Sequence, residues 1–299
     1  MPLPALSLTT GAKINLFLRV IGHRPDGFHE LESVFHTLDL VDDMELLPLD
    51  GGALEIDMVA AAGVGSPLPA PEDNIVIRSA RVLQELTEAR PGARIRIRKR
   101  IPVGGGLGGG SSNAAGALLG LDRLWQLDLD RDTLVAKAEA LGSDVPYCID
   151  GDGTALVGGR GENLARLPGP PAPLWFVLGM SDQPLLTADV YAALEDHSPQ
   201  GPSVAPFTLA LGQGDVAELG RLLHNDLEPA ALSLRPRLEE DKQALLEAGA
   251  LGACISGSGP TIFALATDRR EASVIAAKVE ARFDRVAVAS SAERCVTFR

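Results

Sequence analysis

The stretch Pro102-Val103-Gly104-Gly105-Gly106-Leu107-Gly108-Gly109-Gly110-Ser111-Ser112-Asn113-Ala114-Ala115 decides how the rest of the chain is read. Six of the seven residues from 104 to 110 are glycine. Backbone without Cβ atoms can take positive φ and come close to a ligand, so successive amides can converge on one anion. Ile95, Ile97 and Ile101 precede the run, and Ala114, Ala115, Ala117, Leu118 and Leu119 follow it, which places the glycines between a strand and a helix. Ser111-Ser112-Asn113 offers N-cap chemistry to that helix, whose N-terminus adds unpaired N–H donors and a partial positive charge.

A flexible linker would be flanked by polar low-complexity sequence, and this run is bracketed by apolar elements. Gly104, Gly106 and Gly109 match G-x-G-x-x-G, with Asp128 or Asp130 at the distance where a dinucleotide fold places its ribose acid. Pro102 argues against that reading, because it cannot donate to a sheet ladder directly before the turn. A Walker A loop would end in Gly-Lys-Ser/Thr, and this run does not. A cradle for a nucleoside triphosphate, built on another pattern, stands beside the dinucleotide reading.

Working outward, Ala12-Lys13-Ile14-Asn15-Leu16-Phe17-Leu18-Arg19-Val20 alternates with period two. The pattern predicts a strand with Ile14, Leu16, Leu18 and Val20 on one face and Lys13, Asn15, Phe17 and Arg19 on the other. Lys13 and Asn15 can then reach a common ligand, and otherwise form part of a solvated face. The turn Gly22-His23-Arg24-Pro25-Asp26-Gly27-Phe28-His29 ends in an aromatic and a histidine. Downstream, Leu134, Val135, Ala138 and Leu141 mark a helix that Asp132 can cap and Gly142 can end. Asp144 follows in Gly142-Ser143-Asp144-Val145-Pro146, either as a cap of the next turn or as a site residue. A third small-residue cluster, Ser256-Gly257-Ser258-Gly259-Pro260-Thr261, is a tight turn or a second backbone wall against the same ligand.

In this order, these segments resemble the GHMP small-molecule kinase superfamily. The resemblance covers nearly the whole chain. It includes Asp73-Asn74-Ile75-Val76, similar to the segment beside the adenine, and Asn225-Asp226-Leu227-Glu228 in the second half. The motifs are closest to the branch whose acceptor is a cytidine diphosphate ester of methylerythritol, a precursor in isoprenoid synthesis by the methylerythritol phosphate pathway. The resemblance implies an α+β, two-domain GHMP kinase fold with the active site in the cleft between the domains. It implies transfer of the γ-phosphoryl of ATP, with Mg²⁺, to the acceptor's 2-hydroxyl.

By the same resemblance, Asp144 is the base or hydroxyl-orienting group and Lys13 stands beside it. Residues Pro102 to Ser112, together with Asn74, hold ATP. Asn15, Phe28, His29, Tyr191, Gly257 and Ser258 face the acceptor, with His29 and Asn15 on the cytidine diphosphate end and Tyr191 a candidate for stacking on the base. Relatives often carry Tyr-His where this chain has Phe28-His29, so the ring is kept and its hydroxyl lost. Another kinase of the superfamily, or a nucleotide-binding regulator without turnover, is the alternative reading. A pure binder needs neither Lys13 nor Asp144.

The composition fits a soluble, cytoplasmic enzyme and decides little more, and a monomer or a homodimer is expected. The 299 residues are 45% hydrophobic, enough for two domains. No apolar run approaches the roughly 20 residues of a membrane helix, and Met1-Pro2-Leu3-Pro4 lacks the features of a signal peptide. Cys148, Cys254 and Cys295 have no metal-ligand spacing and read as reduced core thiols, and five histidines form no zinc-like cluster, so no protein-bound metal is expected. A net charge of −13 argues against nucleic acid as a partner. The basic run Arg94 to Arg100 reads as a half-buried strand with a charged face, whose end near Pro102 could draw in a polyphosphate. The domain boundary is placed in Asp150-Gly151-Asp152-Gly153, giving domains 1–152 and 153–299.

Overall fold

A computed structural model describes residues 5–25, 27–61, 64, 70, 73–150, 152–194 and 201–299. Met1 to Pro4, Asp26 of the aromatic turn and Gly151 of the expected boundary lie outside the described residues. The chain mixes helices and strands as an α+β protein. The strands are β1 (Leu6–His23), β2 (His29–Leu49), β3 (Leu54–Ala60), β4 (Gly92–Lys99), β5 (Thr154–Gly159), β6 (Asn163–Arg166), β7 (Trp175–Met180), β8 (His224–Asn225), β9 (Gly252–Ile255), β10 (Ile262–Ala266), β11 (Arg285–Ser290) and β12 (Val296–Phe298). The helices are α1 (Ile75–Gln84), α2 (Gly109–Trp125), α3 (Arg131–Leu141), α4 (Val145–Asp150), α5 (Thr187–Ala192), α6 (Ala205–Gln213), α7 (Val216–Leu222), α8 (Glu228–Leu234), α9 (Arg237–Glu247) and α10 (Arg269–Val279). None is long and apolar enough to cross a membrane.

The long antiparallel hairpin of β1 and β2 is the spine of the larger sheet, whose central order is β12-β1-β2-β4-β3. One end of β2 pairs with β4 from Asp43 to Leu49, and the other pairs with β5 from Leu31 to His36. Strands from beyond residue 152 therefore complete this sheet, with β5 and β6 at one flank and β12 returning from the chain end. The second sheet, β11-β7-β10-β9, is antiparallel throughout.

Three buried apolar clusters hold these layers together. Helices α1 to α4 cover the larger sheet through residues such as Leu8, Leu46, Ile95, Leu118 and Leu121. A second cluster joins Ile14, Leu16 and Val34 of the hairpin to Phe176 and Phe263 of the smaller sheet. The third packs α8, α9 and α10 on Val177, Ile255 and Ile262. The middle cluster thereby ties the two sheets together.

Three local expectations are corrected. β-bulges between Gly11 and Lys13, Asn15 and Phe17, and Val20 and Gly22 interrupt the alternation of β1. Phe17 is thereby turned into the core, with its ring 5.9 Å from that of Phe207, while Lys13 and Asn15 still share a side. Helix α2 begins at Gly109, with Gly108 in the left-handed conformation at its N-cap and no side-chain cap, so Ser111, Ser112 and Asn113 lie within it. Helix α3 is capped by Asp130, whose side chain accepts from the Thr133 amide, and Asp132 sits in its first turn. The Gly142 stop holds. All three cysteines are free and buried.

Candidate active site

An open cavity of about 510 Å³ lies where the larger sheet, the glycine run and the 256–261 loop converge. Pro102 to Ser111 line it, and Ser112 is buried behind them. Gly104, Gly106 and Gly108 have φ of 68°, 76° and 66°. A Cβ on Gly108 would lie 2.8 Å from Cγ of Lys13, and one on Gly106 would collide with the Ser256 carbonyl oxygen. Both glycines are thus required by close protein approach as well as by φ. Val103 and Gly104 form a turn, and beyond it no amide from Gly106 to Gly109 donates to another group among the described residues. Such a set of free donors at the start of a 17-residue helix fits an anion.

The 256–261 loop interlocks with the glycine run. The Ser256 hydroxyl donates to the Gly106 carbonyl at 2.8 Å, and the Thr261 amide donates to that of Gly105 at 3.3 Å. Asn225 holds the loop from below, its side-chain amide donating to the Ile255 and Gly257 carbonyls at 2.8 Å each. Gly257 and Ser258 face the cavity. The buried hydroxyls of Ser112 and Thr261 have no partner among the described residues. Buried polar atoms are rarely left unpaired, and these two lie behind the glycine run rather than on the cavity surface.

Lys13 and Asp144 meet in the floor of this cavity. The bulged β1 directs the Lys13 stem beneath Gly108, and its amide donates to the Leu107 carbonyl at 2.9 Å. Lys13 Nζ donates to Asn15 Oδ1 at 2.8 Å and lies 3.2 Å from Asp144 Oδ2 and 4.1 Å from the Phe35 ring centroid. The lysine side chain is 6% exposed and the aspartate 29%. Asn15 is itself clamped, donating to Ser33 Oγ at 3.0 Å, which donates to the Phe17 carbonyl at 2.6 Å. This relay fixes the ammonium. The carboxylate, at the junction of α3 and α4, keeps an edge toward the cavity.

At one end of the cavity stand Phe28 and Tyr191. The Phe28 ring is half exposed, and the Arg160 guanidinium lies 5.1 Å from its centroid. His29 stacks on Tyr191 with centroids 4.9 Å apart and planes at 29°. Tyr191 also packs on the third apolar cluster, and burial, reinforced by the Asp144 charge, pushes its phenol upward. At the other end, Asn74 caps α1 by accepting from the Val76 amide at 2.9 Å and donates to Met58 Sδ at 3.0 Å. Met58, Ile75 and Val76 give that end an apolar wall.

The basic run held a residue that its charge pattern concealed. Arg94 and Arg96 pair on the surface with Glu55 and Glu45, as a charged face should. Lys99 is buried instead, bonded to Asp42 and, at 2.9 Å, to Asn113 Oδ1. Burial pushes its ammonium down and Asp42 pulls it back up. Asn113 donates in turn to Asp42 at 3.0 Å and Thr10 at 2.6 Å. This network anchors the first turns of α2 to β2 and β4. The signal was its phase, since Lys99 falls on the face of Ile95 and Ile97, and Asp42 on that of Met44 and Leu46.

Known proteins carry the same organisation. Residues 74–152 match the GHMP kinases N-terminal domain, and residues 208–285 match the GHMP kinases C-terminal domain. A 4-diphosphocytidyl-2-C-methyl-D-erythritol kinase from Pelotomaculum thermopropionicum is 42% identical over 268 residues, covering 89% of this chain and 91% of that protein. A crystal structure of a 4-(cytidine 5'-diphospho)-2C-methyl-D-erythritol kinase superposes with a TM-score of 0.80 at 33% identity, covering 95% of this chain and 98% of the other. Homoserine kinase from Cytophaga hutchinsonii shares the fold, with a TM-score of 0.76 at 22% identity and coverage of 99% and 97%. By sequence over most of its length, and by fold, the chain belongs to the 4-diphosphocytidyl-2-C-methyl-D-erythritol kinase family of the GHMP kinases.

Proposed function

We propose that this chain transfers the γ-phosphoryl group of ATP to the 2-hydroxyl of 4-diphosphocytidyl-2-C-methyl-D-erythritol, giving the 2-phosphate and ADP. The observation that carries the reading is the Lys13–Asp144 pair, 3.2 Å apart, set directly beneath the glycine run. Family membership supplies the acceptor. Phosphoryl transfer depends mainly on positioning and charge stabilisation, and each part of the cavity answers one of those needs.

The free amides of the glycine run hold the phosphates, and the apolar end beside Asn74 takes the adenine. Asp144 accepts a hydrogen bond from the 2-hydroxyl and turns its oxygen toward the γ-phosphorus. Lys13, held by Asn15 and Ser33, presents its ammonium to the charge that develops on the attacking oxygen and the transferring group. Asn15 therefore works in the acceptor site chiefly through Lys13, since both ends of its amide are engaged. Mg²⁺ would be held by the nucleotide phosphates and a hydroxyl of Ser111 or Ser112, and would supply charge neutralisation between the β- and γ-phosphates. Of the two, Ser111 lines the cavity, and the Ser112 hydroxyl lies buried behind the run. Gly257 and Ser258 border the acceptor, and Phe28, His29 and Tyr191 form the cytidine end.

We assign these tasks to two domains, 1–152 with the phosphate run and the reacting pair, and 153–299 with the second wall and Tyr191. Every site residue comes from one chain, so a monomer suffices and a homodimer would carry two complete sites. The three free, buried thiols suit the cytoplasm, where ATP is also present. The test is ATP consumption with Mg²⁺ and the cytidyl acceptor, with mevalonate and homoserine as controls and the product identified by mass. Turnover with the cytidyl compound alone is expected. ATP binding without turnover on any acceptor would replace the kinase with a nucleotide-binding regulator.

A further inference from the structure

Three cations line the cavity, and two are already neutralised. Lys13 faces Asp144, and Lys99 is bonded to Asp42. The third, Arg160, has no carboxylate partner for its guanidinium among the described residues. Its neighbour Glu162 is otherwise engaged, accepting from the Arg160 backbone amide at 2.8 Å and lying 3.7 Å from the Arg24 guanidinium. The turn between β5 and β6 that carries Arg160 is placed by Gly161, where a Cβ would come within 2.8 Å of the Ser143 carbonyl oxygen. One side of this turn thus abuts the residue before Asp144. The guanidinium on its other side lies over Phe28, 5.1 Å from the ring centroid.

A cation in the cavity lining, over Phe28 and without a carboxylate partner among the described residues, meets a definite chemical need. The acceptor of the proposed reaction has its hydroxyl at one end, a base at the other and two negative phosphates between them. In a chain with a net charge of −13, that diphosphate needs a local cation. We infer that Arg160 is a binding residue for the acceptor's diphosphate, selecting phosphorylated over unphosphorylated cytidyl ligands. The inference rests on the acceptor assigned above. A guanidinium matches two phosphate oxygens through parallel N–H donors, and its apolar face stays on Phe28.

The test compares wild type with Arg160→Gln and Arg160→Lys, using CDP and cytidine as binding probes in calorimetry alongside steady-state kinetics. Wild type should bind CDP more tightly than cytidine. Arg160→Gln should weaken CDP about tenfold, the scale of one charge-assisted contact at a half-open site, and leave cytidine unchanged. The KM for the cytidyl acceptor should rise in step, the KM for ATP should hold, and Arg160→Lys should recover part of the loss. Equal weakening of CDP and cytidine would mean that Arg160 only props Phe28, and would overturn the inference. So would an unaltered CDP affinity, or a shift confined to ATP. The probe ratio is read without turnover, whereas failure of wild type to phosphorylate the acceptor would count against the assigned reaction instead.

Discussion

Lowering the pH from 7.5 to 5.0 should destabilise the fold through one residue, His36. Its ring is 1% exposed and joins parts distant in sequence, with Nδ1 2.8 Å from Thr154 Oγ1 and Nε2 2.8 Å from Ser291 Oγ. The Ser291 hydroxyl oxygen also accepts from the Leu174 amide, so its own proton is free to meet Nε2, and a neutral ring protonated at Nδ1 completes the network. Burial lowers the pKa from 6.5 to about 4. The unfolded chain therefore takes up a proton near pH 6.5 that the folded chain refuses until about pH 4. Stability from this source is complete above pH 6.5 and drains away as the pH falls. Linkage over that interval gives a loss of about 2 kcal/mol at pH 5.0, rising to about 3 kcal/mol below pH 4. Urea unfolding followed by Trp125 in α2 and Trp175 in β7 reports on both sheets, and His36→Gln is the reference because it keeps a donor and an acceptor without titrating. Wild type should lose about 2 kcal/mol more than the variant between the two pH values. Equal losses would refute the argument.

Asp144→Asn and Lys13→Ala should each lower kcat by at least about 100-fold with the circular dichroism spectrum unchanged, and activity within tenfold of wild type in either folded variant would remove the assigned roles. Within one glycine run, Gly106→Ala and Gly110→Ala should move melting in opposite directions. The first combines positive φ with a collision at Ser256, whereas Gly110 has open space around it and should gain up to about 1 kcal/mol of helix stability. Lys99→Met should cost about 3–5 kcal/mol in urea unfolding, because it strands the buried Asp42 charge, and adding Asp42→Asn should restore part of the loss.

The parts of this molecule that could be read from the sequence were those whose chemistry is local. Glycine in the left-handed conformation, the Gly142 stop, the strand through Arg94 and Arg96, and the proximity of Lys13 and Asn15 follow from short-range rules. Misreadings arose where a local rule competed with a distant partner. Ser112 and Asn113 suit an N-cap, yet helix α2 starts earlier because Gly108 must clear the Lys13 stem and Asn113 is claimed by Asp42 and Lys99. The bulge that buries Phe17 depends on pairing with β2 and leaves no trace in a period-two pattern. Lys99 was hidden by its neighbours' charge, although its position in the alternation was correct for burial. Arg160 sits in a turn without a motif, and only the fold shows that its neighbour Gly161 abuts Ser143.

The interlock of the glycine run with the 256–261 loop has a consequence for synthesis of the chain. Gly106 and the Ser256 hydroxyl that holds it are 150 residues apart. A growing chain displays the entire glycine run long before the residues that shape it have been made. If the run takes nucleotide only when held in this way, the ligand would stabilise a nearly finished molecule and not the first sheet alone. On the ribosome, acquisition of ATP affinity would mark the end of folding, and a truncation before residue 256 should leave a motif that is complete in sequence and blind to its ligand.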